Sequence, residues 1–148
     1  MINSNDRLQY KDVISKSFVG PLNTLNLAME SFMEGISAAQ YKFLGPLFIC
    51  IQLDAEGVTG RITFYMPLFH KPDNVGEDYI FHSYFSLGRV FSRYIKGDFE
   101  ELLAPTNNLL LASIEKAGFR PTTPLFIQLG GSSPDAGCFL KIGVTGVE

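Results

Sequence analysis

The chain contains no tryptophan, only two cysteines and two histidines, and no run of basic residues. Nucleic-acid-binding proteins need clustered Lys and Arg to displace counterions from phosphates, so we expect no nucleic-acid partner. No stretch reaches the roughly 18 apolar residues of a membrane span, and the polar start carries no hydrophobic signal region. We therefore expect a cytoplasmic protein with no membrane partner.

The scarce residues also bear on chemistry. His70 and His82 have no carboxylate or cysteine at metal-ligand spacing, which predicts no metal site and no cofactor. Cys50 and Cys138 lie among apolar neighbours, where cysteine behaves as a small hydrophobe, although a bridge between them stays open. Because no nucleophile elbow and no convincing general base is present, the sequence leans away from an enzyme and indicates no catalytic residue.

Aromatic side chains are abundant by comparison. Of 148 residues, 46% are apolar, with thirteen Phe and six Tyr, and the formal net charge is −3. A chain of this length buries roughly 70% of its unfolded surface, which is enough for a substantial core. The number of rings exceeds what a minimal core requires, so some rings are candidates to line a cavity.

Two segments of the sequence recur at nearly one spacing. Val13-Ile14-Ser15-Lys16 reads again 77 residues later as Val90-Phe91-Ser92-Arg93. Gly45-Pro46-Leu47-Phe48-Ile49 reads again 78 residues later as Thr123-Pro124-Leu125-Phe126-Ile127. Two matches at nearly the same offset predict an internal duplication, with a pseudo-twofold seam as the place for a cleft.

The hydrophobic pattern gives each copy the same element order. Strands are predicted over 8–19, 47–53, 59–66, 84–96, 125–129 and 139–144, and one helix follows the first strand of each copy. The fold prediction is α+β, a duplicated strand-helix-strand-strand unit with pseudo-twofold symmetry, in which two helices pack on an antiparallel sheet. We predict one domain over 1–148, with copy one over about 8–70, a linker over about 71–78 and copy two over about 84–148.

The start of the second helix is ambiguous in sequence. Asp98 and Glu101 have the spacing of a capping box, whereas Pro105 lacks an amide for the helical ladder. We expect the regular helix to begin near Ala104 or to kink there.

The second half of the chain resembles a known family. Lys96-Gly97-Asp98-Phe99-Glu100-Glu101-Leu102, then Ile114-Glu115-Lys116-Ala117-Gly118-Phe119, then Pro124-Leu125-Phe126, resemble the gyrase-inhibitor-like effector-binding domain, which shares its duplicated fold with the SOUL heme-binding proteins. The resemblance implies a saddle-like sheet, a ligand pocket along the seam and an amphipathic small-molecule ligand. It also implies a stand-alone member of unassigned function.

One position departs from the family pattern. The resemblance places a Glu on the strand after the second helix, where this chain reads Phe126-Ile127-Gln128-Leu129. Gln128 forms hydrogen bonds but cannot neutralise a cation, so we expect a ligand that is not strongly cationic. The predicted ligand contacts are Phe48, Tyr65, Tyr84, Phe91 and Gln128, with Glu77 as the candidate acid.

Other functions stay open. The chain could instead be a protein-interaction or accessory protein with no small-molecule role, with a homodimer or another protein as partner. The resemblance also leaves a hydrolase, whose family members use Trp as well as Glu, and a heme binder, for which His82 beside Phe81, Tyr84 and Phe85 would be the ligand.

Overall fold

In the part of the chain that the structure describes, six strands, two α-helices and two short 3-10 helices occur, and the strands and α-helices of both halves run strand, helix, strand, strand. The structure is a computed structural model that describes residues 1–131 and 133–146. Its elements are β1 (Ile2–Pro21), α1 (Leu25–Ala38), β2 (Phe48–Leu53), β3 (Thr59–Pro67), β4 (Ile80–Ile95), α2 (Phe99–Lys116), β5 (Phe119–Leu129) and β6 (Cys138–Gly146). The antiparallel pairing and the two packed helices confirm the predicted α+β class.

The chain divides into two compact units. The N-terminal unit is residues 10–85, and the C-terminal unit is residues 1–9 together with 86–148. The long strands β1 and β4 each contribute residues to both units. In β1, residues 2–9 belong to the C-terminal unit and residues 10–21 to the N-terminal unit. In β4, residues 80–85 belong to the N-terminal unit and residues 86–95 to the C-terminal unit. The sequence boundaries of the two copies stay a prediction.

In the N-terminal unit, β3 pairs with β1 on one side and with β2 on the other. Helix α1 buries Leu25, Met29, Phe32 and Ile36, which are spaced three and four residues apart and therefore lie on one face. Phe32 stacks on Phe64 of β3 with ring centroids 5.5 Å apart, and both rings are fully buried. This contact fixes the helix on one face of the three strands.

In the C-terminal unit, β6 lies between β4 and β5, and α2 contacts β5 and β6. Helix α2 begins at Phe99, so the predicted start near Ala104 is wrong, and the alternative, a kink there, stays a prediction. The Asp98 side chain accepts a hydrogen bond from the Glu101 amide at 3.3 Å, and Asp135 accepts one from the Phe99 amide at 2.9 Å. These bonds satisfy the first turn, and Pro105 removes a single ladder bond from a helix that continues to Lys116.

Candidate functional site

One face of the β1–β3–β2 sheet projects away from α1. Ser15, Tyr65 and Phe48 stand directly opposite one another across the three strands, and opposite residues of an antiparallel pair share a face. Phe64, the neighbour of Tyr65, contacts Phe32 of α1. Because successive strand residues alternate between faces, the row of Ser15, Tyr65 and Phe48 lies on the face opposite the helix.

Five rings gather around this row, and we call them the ring cluster: Tyr10, Phe48, Tyr65, His82 and Phe85. Phe48 and Tyr65 stack with centroids 4.8 Å apart and planes 2° from parallel. Phe85 lies 5.1 Å from Phe48 and 5.0 Å from Tyr65. Phe48 is fully buried, whereas the other four rings are partly exposed. The cluster therefore has a buried base and edges that solvent reaches.

A histidine supplies the polar group of the ring cluster. His82 Nε2 lies 2.9 Å from Ser15 Oγ, and Ser15 is 2% exposed. The imidazole also lies 5.8 Å from the Tyr65 ring and 6.1 Å from the Phe85 ring. The serine and the two rings hold the imidazole in one orientation.

Burial keeps the cluster uncharged near neutral pH. Burial lowers the pKa of His82, because a partly desolvated imidazolium is disfavoured. Burial, and then the neighbouring Cys50, raise the pKa of Tyr65 to about 12. Burial likewise raises the pKa of Cys50 to about 11. The thiol and the phenol have raised pKa values and the imidazole has a lowered one, so the neutral form of each is favoured near pH 7.

The C-terminal unit has a charged counterpart of the Ser15–His82 pair. Ser92, the repeat of Ser15, stands opposite Lys141, which in turn stands opposite Phe126. Ser92 Oγ donates to Asp6 Oδ2 at 2.8 Å, and Lys141 Nζ lies 3.1 Å from the same carboxylate. Burial opposes ionisation of Asp6, but bonds from Ser92, the Arg7 amide and Lys141 outweigh it and lower the pKa.

The structure brings together two of the predicted ligand contacts, Phe48 and Tyr65. Tyr84 is 59% exposed on β4, and Glu77 is exposed in the segment before that strand. Phe91 and Gln128 belong to the C-terminal unit, where Phe91 is 1% exposed and contacts Phe119 at 5.7 Å. Ligand contact by these residues stays a prediction.

Sequence reasoning missed the polar partners of the rings. Ser15 was noticed only as part of the repeat, and His82 only as a candidate heme ligand, although the two form one hydrogen bond. The one usable signal was the recurrence of Ser15 as Ser92, since both serines are 2% exposed and both bind a titratable side chain. A polar residue that recurs inside a buried strand therefore indicates a hydrogen-bond partner elsewhere in the fold.

The described part of the chain has neither a cluster of metal-binding side chains nor a membrane-spanning helix. Within residues 1–131 and 133–146, no group of three or more His, Cys, Asp and Glu side chains is placed to hold a metal ion. In the same residues, no helix is long and apolar enough to cross a membrane.

The fold occurs in solved structures of other proteins. The chain is 13% identical to the C-terminal domain of EcmrR, covering 97% of this chain and 99% of that domain with a TM-score of 0.73. It also matches EcmrR in a complex with DNA, at 15% identity and a TM-score of 0.74, and spans 59% of that longer chain. The shared feature at this identity is the fold.

Two further similar structures are those of a hydrolase and of a protein with a bound small molecule. A hydrolase from Listeria innocua matches at 12% identity and a TM-score of 0.60, covering 96% of this chain and 92% of that one. SAV2435, solved with bound tetraphenylphosphonium, matches at 12% identity and a TM-score of 0.52, covering 96% and 94%. No protein-family model and no curated protein sequence matches the chain.

Proposed function

We propose that the protein is a gyrase-inhibitor-like effector-binding domain that binds an amphipathic aromatic small molecule at the ring cluster. The observation that carries the proposal is the mutual contact of Phe48, Tyr65 and Phe85, in which one ring is buried and two present edges to solvent. Small-molecule sites are lined mainly by aromatic and apolar groups with a few placed polar atoms. Tetraphenylphosphonium bound to SAV2435, a protein of similar fold, supports the same conclusion.

The charges indicate a ligand that is not strongly cationic. A buried cation requires a carboxylate as partner, and the ring cluster is made of five rings that carry none. Gln128 occupies the strand position where the resembled family has Glu. The Asp6 carboxylate, in the C-terminal unit, is already paired with Lys141. In the N-terminal unit we retain Tyr84 as a proposed further contact and Glu77 as the proposed acid, and in the C-terminal unit Phe91 and Gln128 stay proposed ligand contacts of that unit by itself.

A panel of amphipathic aromatic compounds tests the proposal by thermal unfolding. A ligand at one hundred times its dissociation constant should stabilise the protein by about 2.7 kcal/mol. For a chain of about 150 residues this corresponds to a rise in Tm of roughly 5–10 °C. Absence of any stabilising compound across neutral, acidic and basic aromatics would refute the proposal.

A pair of matched variants locates the site. Tyr65→Leu removes the central ring of the cluster and should weaken the best compound about tenfold, because one aromatic contact contributes about 0.5–1.5 kcal/mol. Tyr94→Leu removes a 48% exposed tyrosine of the C-terminal unit that contacts Phe139, and it should leave the affinity unchanged. Equal losses in the two variants would place the compound elsewhere. The unliganded Tm of each variant separates weakened binding from weakened folding.

A second candidate function is protein interaction, favoured by an apolar patch of the N-terminal unit. Phe43, Leu44 and Phe69 are 44%, 56% and 64% exposed, and a β-bridge joins Phe43 to Leu68 beside Phe69. Exposed large apolar side chains on neighbouring segments favour a protein contact at this place. Sedimentation of wild type and Phe69→Ser decides this alternative, which requires an oligomer that the substitution dissociates.

A further inference from the structure

The hydrogen-bonding atoms of His82 bear on the chemical class of the ligand that the ring cluster binds. Among the described residues, Ser15 is the one hydrogen-bond partner of His82, through Nε2. No buried side-chain nitrogen or oxygen in that part of the chain lacks a partner. Because Nδ1 has no partner, it is not fully buried and keeps some exposure to solvent. A ligand stacked on the cluster would meet this nitrogen.

The groups that face the His82 imidazole carry no negative charge. The groups that face it are the Ser15 hydroxyl on β1, the Tyr65 ring on β3 and the Phe85 ring on its own strand. Tyr65 has a pKa of about 12 and stays neutral, and burial is the one cause that lowers the pKa of His82. An imidazolium here has no counterion from these groups, so an anionic ligand would supply it.

In the C-terminal unit, the corresponding serine bonds a carboxylate that already has a cation as partner. There the repeated serine, Ser92, bonds Asp6, and Lys141 neutralises the carboxylate while also donating to the Arg7 carbonyl at 3.1 Å. The two charges of this network, Asp6 and Lys141, are therefore partners of each other. In the N-terminal unit the serine bonds a neutral imidazole whose second nitrogen faces solvent, and this difference between the repeats marks the N-terminal unit as the one that accepts a ligand charge.

We propose that His82 determines the ligand specificity of the ring cluster by selecting aromatic compounds that carry a carboxylate or another acidic group. In the complex, the aromatic part contacts Tyr65 and Phe85, Nδ1–H donates to the acid, and Nε2–H donates to Ser15 Oγ. Both imidazole nitrogens are donors only in the protonated ring, so binding takes up one proton from solvent. This inference rests on the proposed small-molecule function and names the class of its ligand.

The test compares 2-naphthoate with 2-naphthamide, which has a similar shape and no charge. Calorimetric titrations at pH 6.5 in two buffers of different ionisation enthalpy report both affinity and protons taken up. We expect the acid to bind about tenfold more tightly than the amide, because hydrogen bonds to charged groups are the stronger class. We also expect net proton uptake when the acid binds and none when the amide binds.

The pH dependence follows from the same linkage. His82 is mostly neutral in the free protein above its lowered pKa, so the complex gains a proton that free protein lacks. The affinity for naphthoate should therefore fall as pH rises from 6.5 to 8, by up to tenfold per pH unit. The affinity for naphthamide should stay constant over that interval.

His82→Gln and the matched control His70→Gln complete the experiment, since His70 is the exposed second histidine. His82→Gln should abolish the acid preference and the proton uptake while amide affinity stays within about twofold, and His70→Gln should change neither. Wild type that binds both compounds equally without proton uptake refutes this inference and leaves the proposed function standing. An acid preference that survives in His82→Gln also refutes it. Wild type that binds neither compound counts against the proposed function as well.

Discussion

Asp6→Asn removes the charge at the centre of the network that joins residues 1–9 to the rest of the C-terminal unit. The Asp6 carboxylate lies 3.1 Å from Lys141 Nζ and accepts a 2.8 Å hydrogen bond from Ser92. The side chains of Lys141 and Asp6 are 6% and 27% exposed, so the pair is largely screened from water. The asparagine retains an oxygen for Ser92 and leaves the ammonium group with the Arg7 carbonyl.

The expected loss lies below that of a fully buried pair. Removing one partner of a buried ion pair destabilises by about 3–5 kcal/mol, and an exposed pair contributes about 0–1 kcal/mol. Asp6 is between these limits, and Lys141 keeps one hydrogen bond, so we expect a loss of about 2 kcal/mol in the free energy of unfolding. In urea this lowers the unfolding midpoint by about 1 M.

Urea unfolding at pH 7 measures the effect, with Asp73→Asn as the matched control because Asp73 is exposed. The control should unfold with the wild type. Lys141→Met should also destabilise, and the double variant should lose less than the sum of the two single variants, since both singles break one pair. An Asp6→Asn midpoint equal to that of the wild type would refute the assigned role of this pair.

The pH profile gives an independent check. The pKa of Asp6 is lower in the folded protein than its ordinary value near 3.8, so its stabilising contribution is fully present above about pH 4. The contribution is lost as pH falls through the folded pKa. The stability difference between wild type and Asp6→Asn should therefore be constant from pH 5 to 7 and shrink below pH 4.

Three further predictions concern the fold. Asp98→Ala removes the N-cap of α2 and should lower the free energy of unfolding in urea by about 1 kcal/mol. Gly60→Ala would drive its new methyl group into the Gln52 backbone and should lower the Tm well beyond what an exposed Gly→Ala change does, by an amount equivalent to about 1–3 kcal/mol. Burial raises the pKa of Cys50 to about 11, and burial followed by a nearby carboxylate raises that of Cys138 to about 12. Neither thiol should react with a disulfide reagent at pH 8 until urea unfolds the chain.

The elements that could be predicted were those governed by local pattern. The apolar spacing of Leu25, Met29, Phe32 and Ile36 predicts a helix with one buried face, and the structure buries these four residues. The predicted start of α2 near Ala104 was wrong because the Asp98 cap stabilises the first turn, and Pro105 removes only one bond of the helical ladder. The bond from the Phe99 amide to Asp135, which also holds this start, depends on a loop far along the chain.

The polar partners of the site could not be predicted in the same way. Phe48 and Tyr65 were chosen for their ring type, and they stack because β2 and β3 pair in a register that places them opposite each other. Ser15 and His82 are 67 residues apart in sequence, and no local period links them. Their contact depends on where β4 begins, which the sequence placed at 84, two residues after the histidine.

A crystal structure of the protein with the tightest-binding aromatic acid tests the central claim most directly. The account predicts electron density for the aromatic part with its centroid about 4.5–7 Å from the Tyr65 and Phe85 rings, the range of favourable ring pairs. It also predicts the acidic group within hydrogen-bonding distance of His82 Nδ1. Density for the compound at any other place, with the ring cluster empty, would contradict it.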